Sequence, residues 1–89
     1  MTTSEELGLG LYYDGLRALR QAHDFRRADV LLQLYRRSYP DGSFVEESWA
    51  LSIEIAAKLG QSTAEVAGDY LSRFPRGRFR KFAKQAIAR

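Results

Sequence analysis

The sequence predicts an all-α protein of about five antiparallel helices, arranged as two helical hairpins and a C-terminal helix. The first observation is that residues 39–44, Tyr-Pro-Asp-Gly-Ser-Phe, return as residues 74–79, Phe-Pro-Arg-Gly-Arg-Phe. Subtracting 40 from 75 gives a spacing of 35 residues between the prolines, and a period of this length is typical of stacked helical hairpins. The second is that apolar residues recur at three- and four-residue steps, with no strand-like alternation.

The repeated segment marks the two places where the chain is expected to turn. Pro40 and Pro75 cannot continue a helix, because proline has no backbone N–H and its ring clashes with the preceding turn. Gly42 and Gly77 then permit the backbone geometry needed to turn back. The aromatic residues before each proline and after each glycine can pack across the turn and hold successive hairpins together.

The first helix is predicted to begin at a capping box formed by Thr3 and Glu6, in which each side chain satisfies a backbone N–H of the other residue. It should end near Ala22 or His23. Three glycines lie in this helix, and each costs about 1 kcal/mol relative to alanine, so its first turns should be soft. Gly15 is expected where a partner helix approaches closely.

Polar residues also predict where the later helices begin. These residues are Asp24 for the second helix, Ser43 with Glu46 for the third and Ser62 with Glu65 for the fourth. The third helix is apolar on more than one face, so it should lie between neighbours, and Gly60 should end it in the left-handed conformation. The last helix should cover the open end of the stack with a polar outer face.

Size and composition indicate one small domain with a packed core. The chain has 89 residues, 45% of them hydrophobic, and a net charge of only +3, which does not by itself indicate a polyanionic partner. Cysteine is absent, which excludes disulfides and thiolate metal sites. The excess of arginine over lysine fits a bacterial source. The polar, acidic first residues do not resemble a secretory signal. A cytoplasmic location is therefore expected, or a periplasmic one if the chain belongs to a longer exported protein.

One ordered set of residues extends from the second helix through both turns. It comprises Ala28, Leu32, Tyr35 and residues 39–44, then Leu59, Gly60, Ala64, Tyr70, Phe74, Pro75 and Gly77. This set resembles tetratricopeptide-like (TPR-like) repeats, and most closely a bacterial subgroup with a Tyr-Pro or Phe-Pro turn. That subgroup occurs in envelope-assembly lipoproteins, Tol–Pal accessory proteins and anti-sigma-factor-like regulators. The resemblance covers about residues 11–87.

The resemblance implies a single TPR-like domain over residues 1–89, built as a fragment of a right-handed α-solenoid. Its hairpins would span about residues 4–39 and 43–74, and its capping helix about residues 78–88. A domain of this kind is a non-catalytic scaffold that binds a partner peptide or helix. The binding surface would be the concave groove formed by the first helix of each hairpin.

Aromatic residues and arginines are the candidates for that groove, because both are enriched at binding hot spots. The candidates are Tyr13, Arg17 and Arg20 on the first helix and Trp49, Ile53 and Ala56 on the third. The alternative is that Trp49 and Ile53 belong to the core, as a tryptophan in a small helical domain usually does. Arg17 and Arg20 would then only cover a solvated face.

The C-terminal part of the chain supports a second interpretation. Six cations cluster there: Arg73, Arg76, Arg78, Arg80, Lys81 and Lys84. They could bind nucleic acid or another anionic surface, or they could simply be a solvated cap whose charge complements the helix C-terminus. A third interpretation is a structural fragment of a larger bacterial regulator or envelope protein.

No residue pattern predicts catalysis, a cofactor or a metal. His23 is the only histidine and lacks a neighbouring ligand set or catalytic partner. A glycine-rich phosphate loop and a nucleophile elbow are both missing from the sequence. The expected partner is a protein or peptide. Self-association as a homodimer is also expected, through an apolar face of the first helix comprising Leu7, Leu9, Leu11 and Tyr12.

Overall fold

The computed structural model describes residues 3–88 and confirms the all-α fold. The five helices are α1 (Ser4–Arg20), α2 (Phe25–Ser38), α3 (Val45–Lys58), α4 (Thr63–Arg73) and α5 (Arg80–Ala88). Residues 3–88 contain no strand. Within this part of the chain, no helix is both long enough and apolar enough to cross a membrane.

The helices form an open stack in which each helix packs mainly against its neighbours in the chain. Gly8 of α1 faces Tyr39 at the end of α2, and Gly15 faces Leu32, so α1 and α2 are antiparallel. A Cβ atom at Gly15 would lie 2.9 Å from Cδ2 of Leu32, which confirms the predicted close approach. The stack measures 46 × 29 × 17 Å, so it is elongated and leaves long helical faces open to solvent.

Two hydrophobic cores lie on opposite sides of α3. The first joins α1, α2 and α3, and its larger buried side chains are Tyr12, Leu19, Leu32, Tyr35 and Ile55. The second joins α3, α4 and α5, and its buried residues are Ile53, Ala67, Tyr70, Ala83 and Ala86. Because α3 contributes to both cores, the prediction that it lies between neighbours is confirmed.

Three of the predicted N-caps are present. Each is a side-chain oxygen that accepts a backbone N–H three residues later: Thr3 from Glu6, Asp24 from Arg27 and Ser62 from Glu65. These bonds satisfy donors that a helix N-terminus leaves without an intrahelical partner. Gly60 ends α3 with a φ of 70°, as predicted, in the left-handed region that favours glycine.

Two helix boundaries differ from the prediction. The capping box of Ser43 and Glu46 is wrong, because α3 begins at Val45 after Phe44 and has no side-chain cap. The first helix ends at Arg20 rather than near Ala22 or His23. After this end, His23 adopts a φ of 53°, in the short connection that leads to α2.

Each turn is closed by a tyrosine hydroxyl, which replaces the missing cap. Tyr35 accepts the backbone N–H of Phe44 at 2.9 Å. A Cβ atom at Gly42 would overlap this hydroxyl, so only glycine fits beneath it. The same arrangement returns at Tyr70, Gly77 and Phe79, with a bond of 3.0 Å. The 35-residue repeat of the sequence is therefore also a repeat of hydrogen bonds, and Tyr35 and Tyr70 are called the turn tyrosines below.

The face predicted for self-association is largely occupied within the chain itself. Tyr12 belongs to the first core, where its ring stacks on Phe44 with centroids 4.6 Å apart. Leu9 and Leu11 are half-buried, and only Leu7, at 54% exposure, is largely open. The prediction of a dimer face that includes Tyr12 is therefore wrong.

Candidate functional site

The predicted groove residues of α1 lie on its exposed surface, but the two arginines are already paired. Arg17 forms an ion pair with Asp14 on its own helix. Arg20 makes a two-pronged contact with Glu54 of α3, and this hydrogen bonding raises the pKa of the Arg20 guanidinium. Tyr13 remains 43% exposed. The groove between α1 and α3 therefore presents cations whose charge is matched locally.

The predicted groove residues of α3 do not face α1. Ile53 and Ala56 are each only 2% exposed, so they are core residues and cannot contact a partner as predicted. Trp49 is half-buried and packs against the second core. It is not part of the groove, because its ring lies beside arginines of α2 and α4.

A cleft of about 370 Å³ opens on this other side, where α2, α3 and α4 meet. Its cations are Arg36 and Arg37 of α2 and Arg73 of α4. Its walls are otherwise mainly apolar and include Pro40, Val45, Trp49 and Phe74. We call this concavity the arginine–tryptophan cleft. No acidic residue lines it within the described residues.

Arg36 is held across the interface between α2 and α3 by neutral groups. Its Nη1 donates to the carbonyl oxygen of Ser48 at 3.1 Å, to the Oγ of Ser48 at 3.2 Å and to the Oγ of Ser52 at 2.9 Å. Its guanidinium carbon lies 4.2 Å from the centroid of the Trp49 ring, a distance at which a cation is attracted to the aromatic face. The serines and the indole therefore fix the guanidinium in place.

Among residues 3–88, neither Arg36 nor Arg73 forms an ion pair. Burial lowers the pKa of Arg36 to about 10, an effect opposed by the charge of Asp29 and reinforced by that of Arg73. The guanidinium of Arg73 lies 5.1 Å from the same Trp49 ring. Within residues 3–88, no carboxylate lies within 4 Å of either guanidinium, since the ion pairs there involve other arginines. Two like charges thus share one indole.

The basic residues of the C-terminal part do not form one surface. Arg73 lies at the arginine–tryptophan cleft, whereas Arg78 bonds Glu47 at 2.7 Å and lies over the Phe79 ring. Arg80 donates to the carbonyl oxygen of Gly77 at 3.1 Å. The remaining cations of the predicted patch are exposed to solvent: Arg76, Lys81 and Lys84.

No protein-family model, curated protein or solved structure matches the chain. The geometry of the helical stack and of its cleft therefore carries the functional conclusion.

The sequence patterns did not single out Arg36 or Arg37 as site residues. A signal for Arg36 was nevertheless present in α3, where Ser48 and Ser52 stand four residues apart, with Trp49, Ala50 and Leu51 between them. Both serines are buried, and buried hydroxyls need hydrogen-bond partners. An arginine of the neighbouring helix supplies a donor to both. Spacing within α3 alone could not indicate which arginine it would be.

Proposed function

We propose that the chain is a non-catalytic protein-interaction module, a scaffold of helical hairpins that binds a segment of a partner protein. The observation that carries the proposal is the arginine–tryptophan cleft. Tryptophan and arginine are the residue types most enriched at binding hot spots, and here they line one concavity open to solvent. Trp49 packs against the second core and Arg36 is held by hydrogen bonds to Ser48 and Ser52, so the site is largely formed before a partner arrives.

The same observation favours a binding surface on the α2–α4 side over one in the groove between α1 and α3. A partner in that groove would have to compete with Asp14 for Arg17 and with Glu54 for Arg20. At the cleft, Arg36 and Arg73 have no such competitor among the described residues. The unpaired cations of the cleft therefore favour it as the binding surface.

Capture of a partner from a lysate of the source organism tests the proposal. The cleft variant reverses two exposed cations, Arg37→Glu with Arg73→Glu. The matched control, Arg17→Glu with Arg20→Glu, changes the net charge equally on the other side of the stack. We expect wild type and the control to capture the same partner and the cleft variant to lose it. Circular dichroism of all three proteins shows whether each is folded.

The other outcomes each contradict a part of the proposal. A partner lost only with the control places the site in the groove between α1 and α3. A partner retained by both variants moves the site away from both surfaces. Absence of any specific partner across growth conditions, with folded protein on the resin, contradicts the interaction module itself.

Binding of nucleic acid through the C-terminal cations remains a prediction. These cations are dispersed over the cleft, the α4–α5 turn and α5. Binding of nucleic acid therefore has weaker structural support than binding of a protein partner at the cleft. Affinity for an oligonucleotide that falls steeply with added salt is the expected mark of such binding. An affinity that is absent, or insensitive to salt, contradicts it.

A further inference from the structure

The cleft holds two cations, Arg36 and Arg73, that form no ion pair with any residue of the described part of the chain. Arg36 and Arg73 converge on Trp49, although like charges repel. Only one nitrogen of the Arg36 guanidinium, Nη1, donates hydrogen bonds to described groups. An anion between the two arginines would reduce their repulsion and meet the donors that remain.

We infer that the arginine–tryptophan cleft binds the side-chain carboxylates of an acidic peptide segment in which hydrophobic residues stand next to the acids. The inference rests on the proposed function and names the chemistry of the partner. The polar donors there are chiefly guanidinium groups, and their planar fork matches the two oxygens of a carboxylate.

The walls of the cleft determine what accompanies the carboxylate. Pro40, Val45, Phe74 and the ring of Trp49 form apolar surface beside the cations. An apolar side chain placed against them would remove this surface from water, which is favourable in proportion to the area buried. A purely acidic segment would leave these walls uncovered. The cleft therefore fits acids and hydrophobic residues in alternation.

The spread of the cations selects side-chain carboxylates rather than a single chain terminus. Arg36 and Arg37 lie on α2, and Arg73 lies at the end of α4. A C-terminal carboxylate delivers one anionic group, which can bridge one pair of guanidiniums. A segment with several acids can meet cations on both helices.

The experiment uses the whole chain and a fluorescein-labelled peptide of alternating leucine and glutamate with an amidated C-terminus. A peptide with glutamine in place of glutamate is the chemical control. We expect the glutamate peptide to bind at least about tenfold more tightly, because hydrogen bonds between a guanidinium and a carboxylate are roughly twice as strong as those between neutral groups. Binding should also shift the indole N–H resonance of Trp49, the only tryptophan of the chain. Fluorescence polarisation and NMR provide the two readouts.

Two variants locate the binding. Arg73→Gln should weaken binding of the glutamate peptide by about tenfold. Arg27→Gln is the matched control, because Arg27 is an exposed cation of α2 that lies beside Arg17 in a separate depression. Removing its equal charge should change the affinity by less than about threefold, as for screened surface charges. Arg36→Lys keeps the charge but removes the fork, and it should also weaken binding.

Three results overturn the inference: equal affinity for the two peptides, equal effects of Arg73→Gln and Arg27→Gln, or no binding by wild type. A free-acid glutamine peptide that binds as well as the amidated glutamate peptide assigns the cleft to a chain terminus instead. Any of these results leaves the interaction module standing if the lysate experiment captures a partner. If no partner is captured, the module fails independently of the peptide result.

Discussion

The hydroxyl groups of the turn tyrosines connect each hairpin to the helix that follows it. Tyr35 accepts the N–H of Phe44, and Tyr70 accepts the N–H of Phe79. The two sites differ in one respect, since the Tyr70 hydroxyl also donates to Oε2 of Glu46 at 2.7 Å. A buried backbone N–H that loses its partner costs about 1–3 kcal/mol. The second turn therefore depends on its hydroxyl more than the first.

Replacement of each turn tyrosine by phenylalanine removes one oxygen atom and little volume. We expect Tyr35→Phe to lower the free energy of unfolding by about 1–3 kcal/mol, because the N–H of Phe44 loses its acceptor. Tyr70→Phe should cost more, because the carboxylate of Glu46 also loses a donor. Urea unfolding measures both values, and Tyr13→Phe at an exposed position is the control. An equal or smaller cost for Tyr70→Phe would contradict the assigned role of Glu46.

The Tyr70 hydroxyl should also make the free energy of unfolding fall as the pH rises into the alkaline range. Burial, followed by the hydrogen bond with Glu46, raises the pKa of Tyr70 above its usual value of 10.0, and burial also raises the pKa of Tyr12. Above about pH 10, the unfolded tyrosines lose protons that the folded ones retain, so unfolding becomes more favourable. The contribution is complete below pH 10 and is lost as pH rises through the folded pKa values. Urea midpoints across this range should fall, and they should fall less steeply in Tyr70→Phe.

At the level of elements, α3 organises the molecule. It contributes to both cores, and its buried serines hold Arg36. Its first turn also reaches the last turn of the chain, because Oε2 of Glu46 accepts the backbone N–H of Arg78 at 2.9 Å. The position of α5 therefore depends on α3 through polar contacts as well as through the second core.

The variant Glu46→Gln keeps the shape of this side chain and removes its charge. Because charged hydrogen bonds are stronger than neutral ones, we expect a loss of about 1 kcal/mol. Amide hydrogen exchange should speed up in α5, with little change in the hairpin of α1 and α2. Glu47→Gln is the control, since it breaks a pair with Arg78 in which the arginine side chain is 69% exposed, and ion pairs screened by solvent contribute about 1 kcal/mol or less. Uniformly faster exchange would contradict the local role of Glu46.

The local elements of this fold are predictable because their signals lie within a few residues. Prolines, glycines and capping side chains placed the turns and most helix ends correctly. The cap of α3 was wrong because the group that bonds Phe44 is Tyr35, nine residues earlier and in another helix. Local capping rules do not include such a partner.

The site was less predictable than the fold, since the direction of a face depends on packing between helices. The spacing of Trp49 and Ile53 places them on one face of α3. That face points toward α4 and the second core rather than toward α1. Arg36 likewise lies outside the apolar stripe of α2 in the sequence, yet the packing of α2 on α3 partly buries it. Periodicity therefore identified which residues share a helix face, but not which neighbouring helix that face contacts.

For the whole molecule, the packing of Tyr12 into the first core bears on assembly. The exposed large apolar side chains are divided among three helices: Leu7 and Tyr13 on α1, Val30 and Leu34 on α2, and Phe82 and Ile87 on α5. A few exposed hydrophobic residues on each helix are normal on monomers. We therefore expect the chain alone to be a monomer. Sedimentation over a dilution series checks this, and a mass that rises with concentration would contradict it. Leu7→Ser would then show whether α1 forms the contact.

Each turn is closed by a hydrogen bond between residues that are close in sequence, and this has an evolutionary consequence. Tyr70 reaches nine residues along the chain to Phe79, over Gly77. If residues 40–74 were duplicated directly after Phe74, Tyr70 would meet a second copy of Gly42 and Phe44 at the same separations. Each added unit would bring one further hairpin, held mainly by nearest-neighbour contacts. Tandem duplication of this segment in the gene would thus lengthen the protein without requiring a new type of contact between hairpins.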